Sequence, residues 1–239
     1  MASWNFENAQ QTINWPYGIG VRRGDMPKMS GIDKFGYLDA ASTAYKTVWD
    51  GDSIYAYPSS AVAMTVASAA GATDNGVEVT IQGLDGDYNE LNETVTLAGT
   101  GTATTTGTFL RINRAFVSNG QAATDDIGIQ NTGVNYAIIL SEYQQTLMAV
   151  YTVPAGKRGY LVSGNVSVEK SQPVVAKLMV RLIGGVFRAQ GIISTFGVPF
   201  QRTWNLPPVF PEKTDIEIRA KAGATTSIAA GFEVLLEDK

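Results

Sequence analysis

The chain has 239 residues, a net charge of −4 at neutral pH, and neither cysteine nor histidine. Without thiols or imidazoles it can build no disulfide framework, no cysteine nucleophile, no Ser-His-Asp relay and none of the commonest zinc sites. Acidic and basic residues are interspersed, so no basic stripe awaits a phosphate backbone, and no apolar run reaches the roughly 18–20 residues that cross a bilayer.

Residues 1–30 lack a clear period. Trp4, Phe6, Ile13, Trp15 and Tyr17 lie among Asn and Gln, and Pro16, Gly18 and Gly20 interrupt regularity. Disordered tails are poor in aromatics. The segment is therefore expected to be an extended arm that orders against a neighbouring subunit, with Trp4, Phe6, Trp15 and Tyr17 as its interface anchors. The opening MASWNFENAQQ has no charged stretch followed by an apolar one. It does not read as a secretory signal, which points to synthesis in the cytoplasm.

From about residue 31 the pattern is β. Residues 39–49 could make one or two helical turns capped by Asp39, although Thr43, Thr47 and Val48 are poor helix formers. In 60–70, Val62, Met64 and Val66 alternate, which favours a strand over an Ala-rich helix. Val77 to Ile81 and Glu93 to Leu97 alternate strictly, and the turn formers from Gly83 to Glu90 join them as a hairpin. The Thr-, Gly- and Ala-rich stretch 98–108 is expected to be a loop leading into a strand at 109–116. Short strands follow at 127–130 and 135–140. A second cluster is expected at 147–152, 158–169, 175–183, 186–194, 214–220 and 227–236. Residues 204–211, WNLPPVFP, read as a loop because proline removes backbone donors and fixes φ. Many short strands at this spacing indicate sandwiches or jelly rolls. The fold class is all-β: two antiparallel β-sandwich or jelly-roll-like domains, 31–143 and 144–239, behind the arm 1–30.

The constellations that could carry chemistry are weak. Asp85, Asp87 and Asn89 open like a calcium loop, but Glu90 and Thr96 stand where that loop needs Gly and a bidentate Glu. Glu90 and Glu93 could pair as in a glycosidase only if they flanked a sugar, and strand-face charges explain them. Arg23-Gly24-Asp25 spells an integrin-recognised tripeptide, and a turn accounts for it equally. Gly18 and Gly20 neither follow a strand nor open a helix, so no dinucleotide fingerprint is expected. Asn92-Glu93-Thr94 and Asn165-Val166-Ser167 are glycosylation sequons that matter only in a secretory context. Trp49, Tyr55, Tyr57, Tyr143 and Trp204 could form a stacking platform for sugars, against the ordinary use of large aromatics in cores and interfaces. No catalytic residue, metal ligand or cofactor site is expected.

Several phrases, in order, carry a resemblance. They are Lys34-Phe35-Gly36-Tyr37 with Tyr45 and Val48-Trp49-Asp50, VTIQGLDGDYNELNETVTLAGT at 79–100, FLRINRAFV at 109–117, QTLMAVYTVPAGKRGYL at 145–161, and KTDIEIRA with GFEV at 213–234. Over about 31–239 the chain resembles an uncharacterised family of virion structural proteins from tailed phages of marine bacteria and cyanobacteria. The resemblance implies a bacteriophage structural protein encoded among head and neck genes, and it transfers no site residues. The expected role is a capsid decoration or cement protein on the head surface, bound to the major capsid protein. Analogy with other head-decorating proteins suggests a homotrimer. A neck or tail component remains open, as does a receptor- or glycan-binding module. Neither nucleic acid nor membrane is an expected partner.

Overall fold

The computed structural model describes residues 17–239, and over them the protein is all-β with several antiparallel sheets. It begins with one short helix, α1 (Tyr17–Arg23), which packs Val21 and Arg22 over Gly31. Residues from Tyr17 to Arg23 are thus helical rather than extended. The arm anchors Trp4, Phe6 and Trp15 lie outside the described residues.

β1 (Met29–Ala41) and β2 (Lys46–Thr47) follow. β3 (Val62–Ser68), β4 (Glu78–Leu84), β5 (Glu90–Thr96), β6 (Thr102–Phe109), β7 (Arg111–Val117), β8 (Ile127–Asn131) and β9 (Val134–Ile139) make two sheets, ordered β6-β3-β8-β9 and β5-β4-β7. Their facing sides bury Met64, Val79, Ile81, Phe109, Ile112, Ile127 and Ile139 in one core. β10 (Val150–Thr152), β11 (Lys157–Val168), β12 (Pro173–Arg181), β13 (Arg188–Phe196), β14 (Phe200–Thr203), β15 (Val209–Phe210), β16 (Asp215–Ala222) and β17 (Thr226–Asp238) make two more. One is ordered β1-β17-β11-β14, with β15 also on β11; the other is β10-β16-β12-β13, with β2 also on β16. Leu38, Tyr151, Leu161, Val174, Ile216, Ile218 and Phe232 fill the second core between them. Every strand pair is antiparallel, so alternate residues face a core and the others face solvent or a neighbour.

Three segments differ from the sequence expectation. Residues 39–49 hold no helix: β1 continues to Ala41, and β2 pairs Thr47 with Arg219. The β17 ladder beside residues 29–41 overrides the weak local helix preference, as tertiary pairing commonly does. Residues 29–47, placed by sequence order with the first cluster of strands, hydrogen-bond instead to strands near the C-terminus. The stretch 102–109 is strand β6, not loop; Thr105 and Phe109 point inward and are buried while Thr104 and Thr106 are exposed. β-Branched threonines on a pleated surface outweigh Gly107 within the strand and the two glycines just before it. The expected 204–211 loop is confirmed apart from the two-residue β15, and β14 lies just ahead of it.

Where the two cores meet, backbones approach closely. The Ala149 amide donates to the Val48 carbonyl at 2.9 Å, and the Val48 amide donates to the Ile218 carbonyl at 2.8 Å. Gly36 lies directly over the Val48–Ala149 contact, where a Cβ would collide with both backbones. This close approach is why the Phe35-Gly36-Tyr37 phrase needs a residue without a side chain at its centre. The linker through Gln144 is equally tied down: its side-chain amide accepts from the Ala123 amide at 2.8 Å and donates to the Ala123 carbonyl at 3.1 Å.

Candidate interaction surface and the charged junction behind it

At the junction, β16 and β7 bring Asp215 and Arg111 together from sequence positions far apart. Arg111 Nε donates to Asp215 Oδ1 at 2.7 Å and its Nη2 donates to Oδ2 at 3.2 Å. Thr152 donates to Oδ1 at 2.6 Å and Arg181 Nε donates to Oδ2 at 2.8 Å. Arg111 also donates to the carbonyls of Pro58 and Leu110. One carboxylate thus serves two guanidinium groups, and Arg111 and Asp215 are both buried. Burying such charges is costly unless each is paired and hydrogen-bonded, and here each is.

Aromatic rings complete the junction. Trp49, Tyr55 and Tyr57 form successive edge-to-face contacts, with centroids 5.1 and 4.7 Å apart, and Phe187 lies 5.4 Å from Tyr57. The Arg181 guanidinium lies 4.5 Å from the Tyr57 and Phe187 ring centroids, and Arg219 lies 4.8 Å from Phe187. Arg219 also pairs with the fully buried Glu217, whose carboxyl is held above its ordinary range by burial. Phe187 belongs to the turn between β12 and β13, so this stack pins that hairpin to the body of the protein.

Two further ionisable groups lie at the same junction. Lys34 is buried on β1 and donates to the Asn113 carbonyl; burial, followed by the Arg114 charge, brings its ammonium pKa down to about 7. Asp50 accepts from the Leu147 amide at 2.7 Å, while its Oδ1 is buried without a protein hydrogen bond. Burial raises the Asp50 carboxyl from 3.8 to about 7, and the charge of Asp126 adds to the rise. A polar cleft of about 430 Å³ opens beside Lys34, lined in part by Gln82, Glu90, Asn92, Asn113 and Arg114.

The residues singled out by sequence do not assemble into a site for chemistry. Asp85 accepts from the amides of Asp87 and Asn89, both at 2.9 Å, closing a turn in which Tyr88 has positive φ. Glu93 accepts from the amides of Thr106 and Gly107 at 2.6 and 2.8 Å and so braces β6, while Glu90 lies 3.7 Å from Lys157. Arg23 and Asp25 contact each other at 3.1 Å, directly after α1. Among the described residues, no group of three or more acidic side chains is placed to hold a metal ion. The sugar platform does not form. Trp49, Tyr55 and Tyr57 stack inside the junction, Trp204 covers Gly164, and Tyr143 packs edgewise on Tyr37 at 6.4 Å. Tyr17 opens α1 with an exposed ring, and its hydroxyl meets the Met29 sulfur at 3.2 Å.

Sequence reasoning passed over the surface between residues 182 and 209. Leu182, Ile183, Val186, Ile192, Phe196, Val198 and Val209 are each at least half exposed, and Leu206 reaches 89%. They lie on the β12–β13 turn, on the outer side of β13 and on the segments that follow it, where the second sandwich ends in the edge strands β13 and β14. Beside them, Val180, Leu182, Val186, Pro208 and Phe210 line an apolar groove of about 450 Å³. Apolar side chains grouped this way, rather than scattered singly, mark a contact surface. The sequence signal was present: residues 189–201 contain no charged side chain.

The architecture defines the protein as an all-β chain of antiparallel sandwiches with a buried polar network between its cores and a group of exposed apolar side chains between residues 182 and 209. No protein-family model matches the chain, and no curated protein matches it in sequence. Among solved structures, one of infectious bursal disease virus, Gt strain, aligns with 88% of this chain and 71% of its own at 11% identity, with a TM-score of 0.26. The crystal structure of the STIV MCP aligns with 85% of this chain and 96% of its own at 9% identity, with a TM-score of 0.24. Likenesses this distant carry no function across.

Two measurements check the junction. Asp215→Ala leaves two guanidinium groups without their shared carboxylate. It should lower unfolding free energy in urea by about 3–5 kcal/mol, the usual loss when one partner of a buried pair is removed. Asp50 binds a proton more tightly folded than unfolded. It therefore stabilises the fold below about pH 4, and that contribution falls away as pH rises towards about 7. Asp50→Asn, which keeps an acceptor for the Leu147 amide, should gain stability relative to wild type between pH 4 and 7 and hold a constant offset above. Thermal melts across that range read the difference directly.

Proposed function

We propose that the protein is a bacteriophage virion structural protein, a capsid decoration or cement protein, that acts by binding copies of itself and the major capsid protein. The observation that supports this most is the apolar surface at residues 182–209, held by a rigid all-β body and a hairpin pinned through Phe187. A decoration protein needs rigid faces and partner-binding energy rather than a reacting group, and burial of apolar area supplies that energy. The resemblance of the ordered phrases to virion proteins of tailed phages supports the same reading. The homotrimer and the head-surface location belong to this proposal.

The N-terminal segment adds to it. Trp4, Phe6, Trp15 and Tyr17 are proposed as anchors, since large aromatics frequently dominate contact energy. A neck or tail protein is the rival within the same class, and particle stoichiometry separates the two. Quantitative mass spectrometry of purified virions should give a copy number of the same order as the major capsid protein. Joint Trp4→Ala and Trp15→Ala replacement should lower it without unfolding the protein. A copy number matching one small ring would assign the neck or tail instead. Unchanged occupancy of the double variant would remove the arm from the account.

A further inference from the structure

We propose that β13 is a self-pairing edge: two copies of this chain join by antiparallel alignment of their β13 strands about a two-fold axis. The inference rests on the self-association in the function proposed above and gives it a specific contact, one that would link any trimers to each other.

β13 ends its sheet in the order β10-β16-β12-β13, so among the described residues no strand lies along its far side. An edge of this kind presents unpaired backbone donors and acceptors that a further strand can take up. Proteins usually block such edges with charge, proline or a bulge. Most of the other sheet-end strands carry charge, β14 through Arg202 among them, and β10 is buried throughout. β1 carries Asp33, Lys34 and Asp39, β5 carries Glu90 and Glu93, and β7 carries Arg111 and Arg114. β6 is uncharged, but Glu93 engages its Thr106 and Gly107 amides. β9 is uncharged and half-buried, with Ala137 and Ile139 in the core. β13 has its charge and its bulge only at its start, Arg188 and Gln190; from Gly191 onward it is uncharged and exposed at Ile192, Ser194 and Phe196. Leu178 pairs with Gly191 and Met179 with Ala189, so Gln190 is the bulged residue of β13, and Gly191 to Phe196 pair regularly.

The absence of charge also identifies the occupant. In a two-fold antiparallel pair, residues near the axis meet their own counterparts about 4.5–5.5 Å away, so a charge there would face its like. For an axis anywhere from residue 190 to 194, Arg188 falls opposite a position between 192 and 200, and none of those is charged. A strand suited to pair with itself needs this pattern, whereas a charged partner would find no counter-charge along it. Ile193 packs into the second core and Phe187 ties the hairpin to Arg181 and Tyr57, so the edge is already ordered before it pairs.

The chain contains no cysteine, so a single introduced cysteine can crosslink only to its counterpart. Gln190→Cys, Ile192→Cys and Ser194→Cys sample the axis, and Ser118→Cys, exposed just after β7, is the control. A disulfide needs Cα atoms within about 4.4–6.8 Å. Mild oxidation of the full-length protein should convert at least one β13 variant largely to covalent dimer while the control stays monomeric on a non-reducing gel. In a second arm, Ser194→Lys and Ser194→Asp should each weaken association at least tenfold by light scattering, and mixing the two should restore it. No β13 crosslink above the control overturns the self-pairing edge. If light scattering then still shows oligomers, self-association survives through another contact. If it shows only monomers, self-association falls as well.

Discussion

Everything in this molecule depends on one constraint: a buried backbone N–H or C=O must find a partner. A chain that answers with sheets moves the problem to the sheet edges, because the last strand in each sheet has one side unpaired. Here β1, β17 and β11 run long and side by side, and their ladder joins residues near both ends of the described chain. Most edges are then charged, braced by a neighbour or partly buried. β13 is left open from Gly191 onward, and most of the strongly exposed apolar side chains lie between residues 182 and 209.

The charged junction serves that arrangement. Arg111, Arg181 and Asp215 are committed to one another, to neighbouring protein groups and to aromatic faces. What the network does is fix position. Asp215 links β16 to β7 across the two cores, and the Arg181–Phe187–Tyr57 stack holds the turn before β13. Buried ion pairs seldom add much net stability compared with apolar packing, but breaking one is costly. The network therefore selects one relative placement of the elements that present the edge.

Much of the fold was legible in the sequence wherever burial alternates. Val77 to Ile81 and Glu93 to Leu97 read directly as β4 and β5, because one face of each is core and the other is solvent. The Thr-rich β6 was not legible: its inward positions are small or hydroxylated, so the hydrophobic alternation that marks a strand is muted. Residues 39–49 misled for the opposite reason. Their composition tolerates a helix, and the strand that forms there depends on β17, far away in sequence. The junction was invisible for the same cause, since Arg111 and Asp215 are separated by 104 positions. The charge-free run 189–201 stood in plain view, and only its place at a sheet edge gives it meaning.

On this account the protein works through its surface: a rigid body presents one unprotected edge with apolar side chains around it. The most direct test is hydrogen–deuterium exchange across residues 188–196 of the full-length protein, followed from dilute solution to assembling concentrations. The amides on the open side of β13 should exchange quickly when copies are separate and become protected as they associate, while the β1–β17 ladder stays protected throughout. Equal exchange of β13 under both conditions would contradict the account.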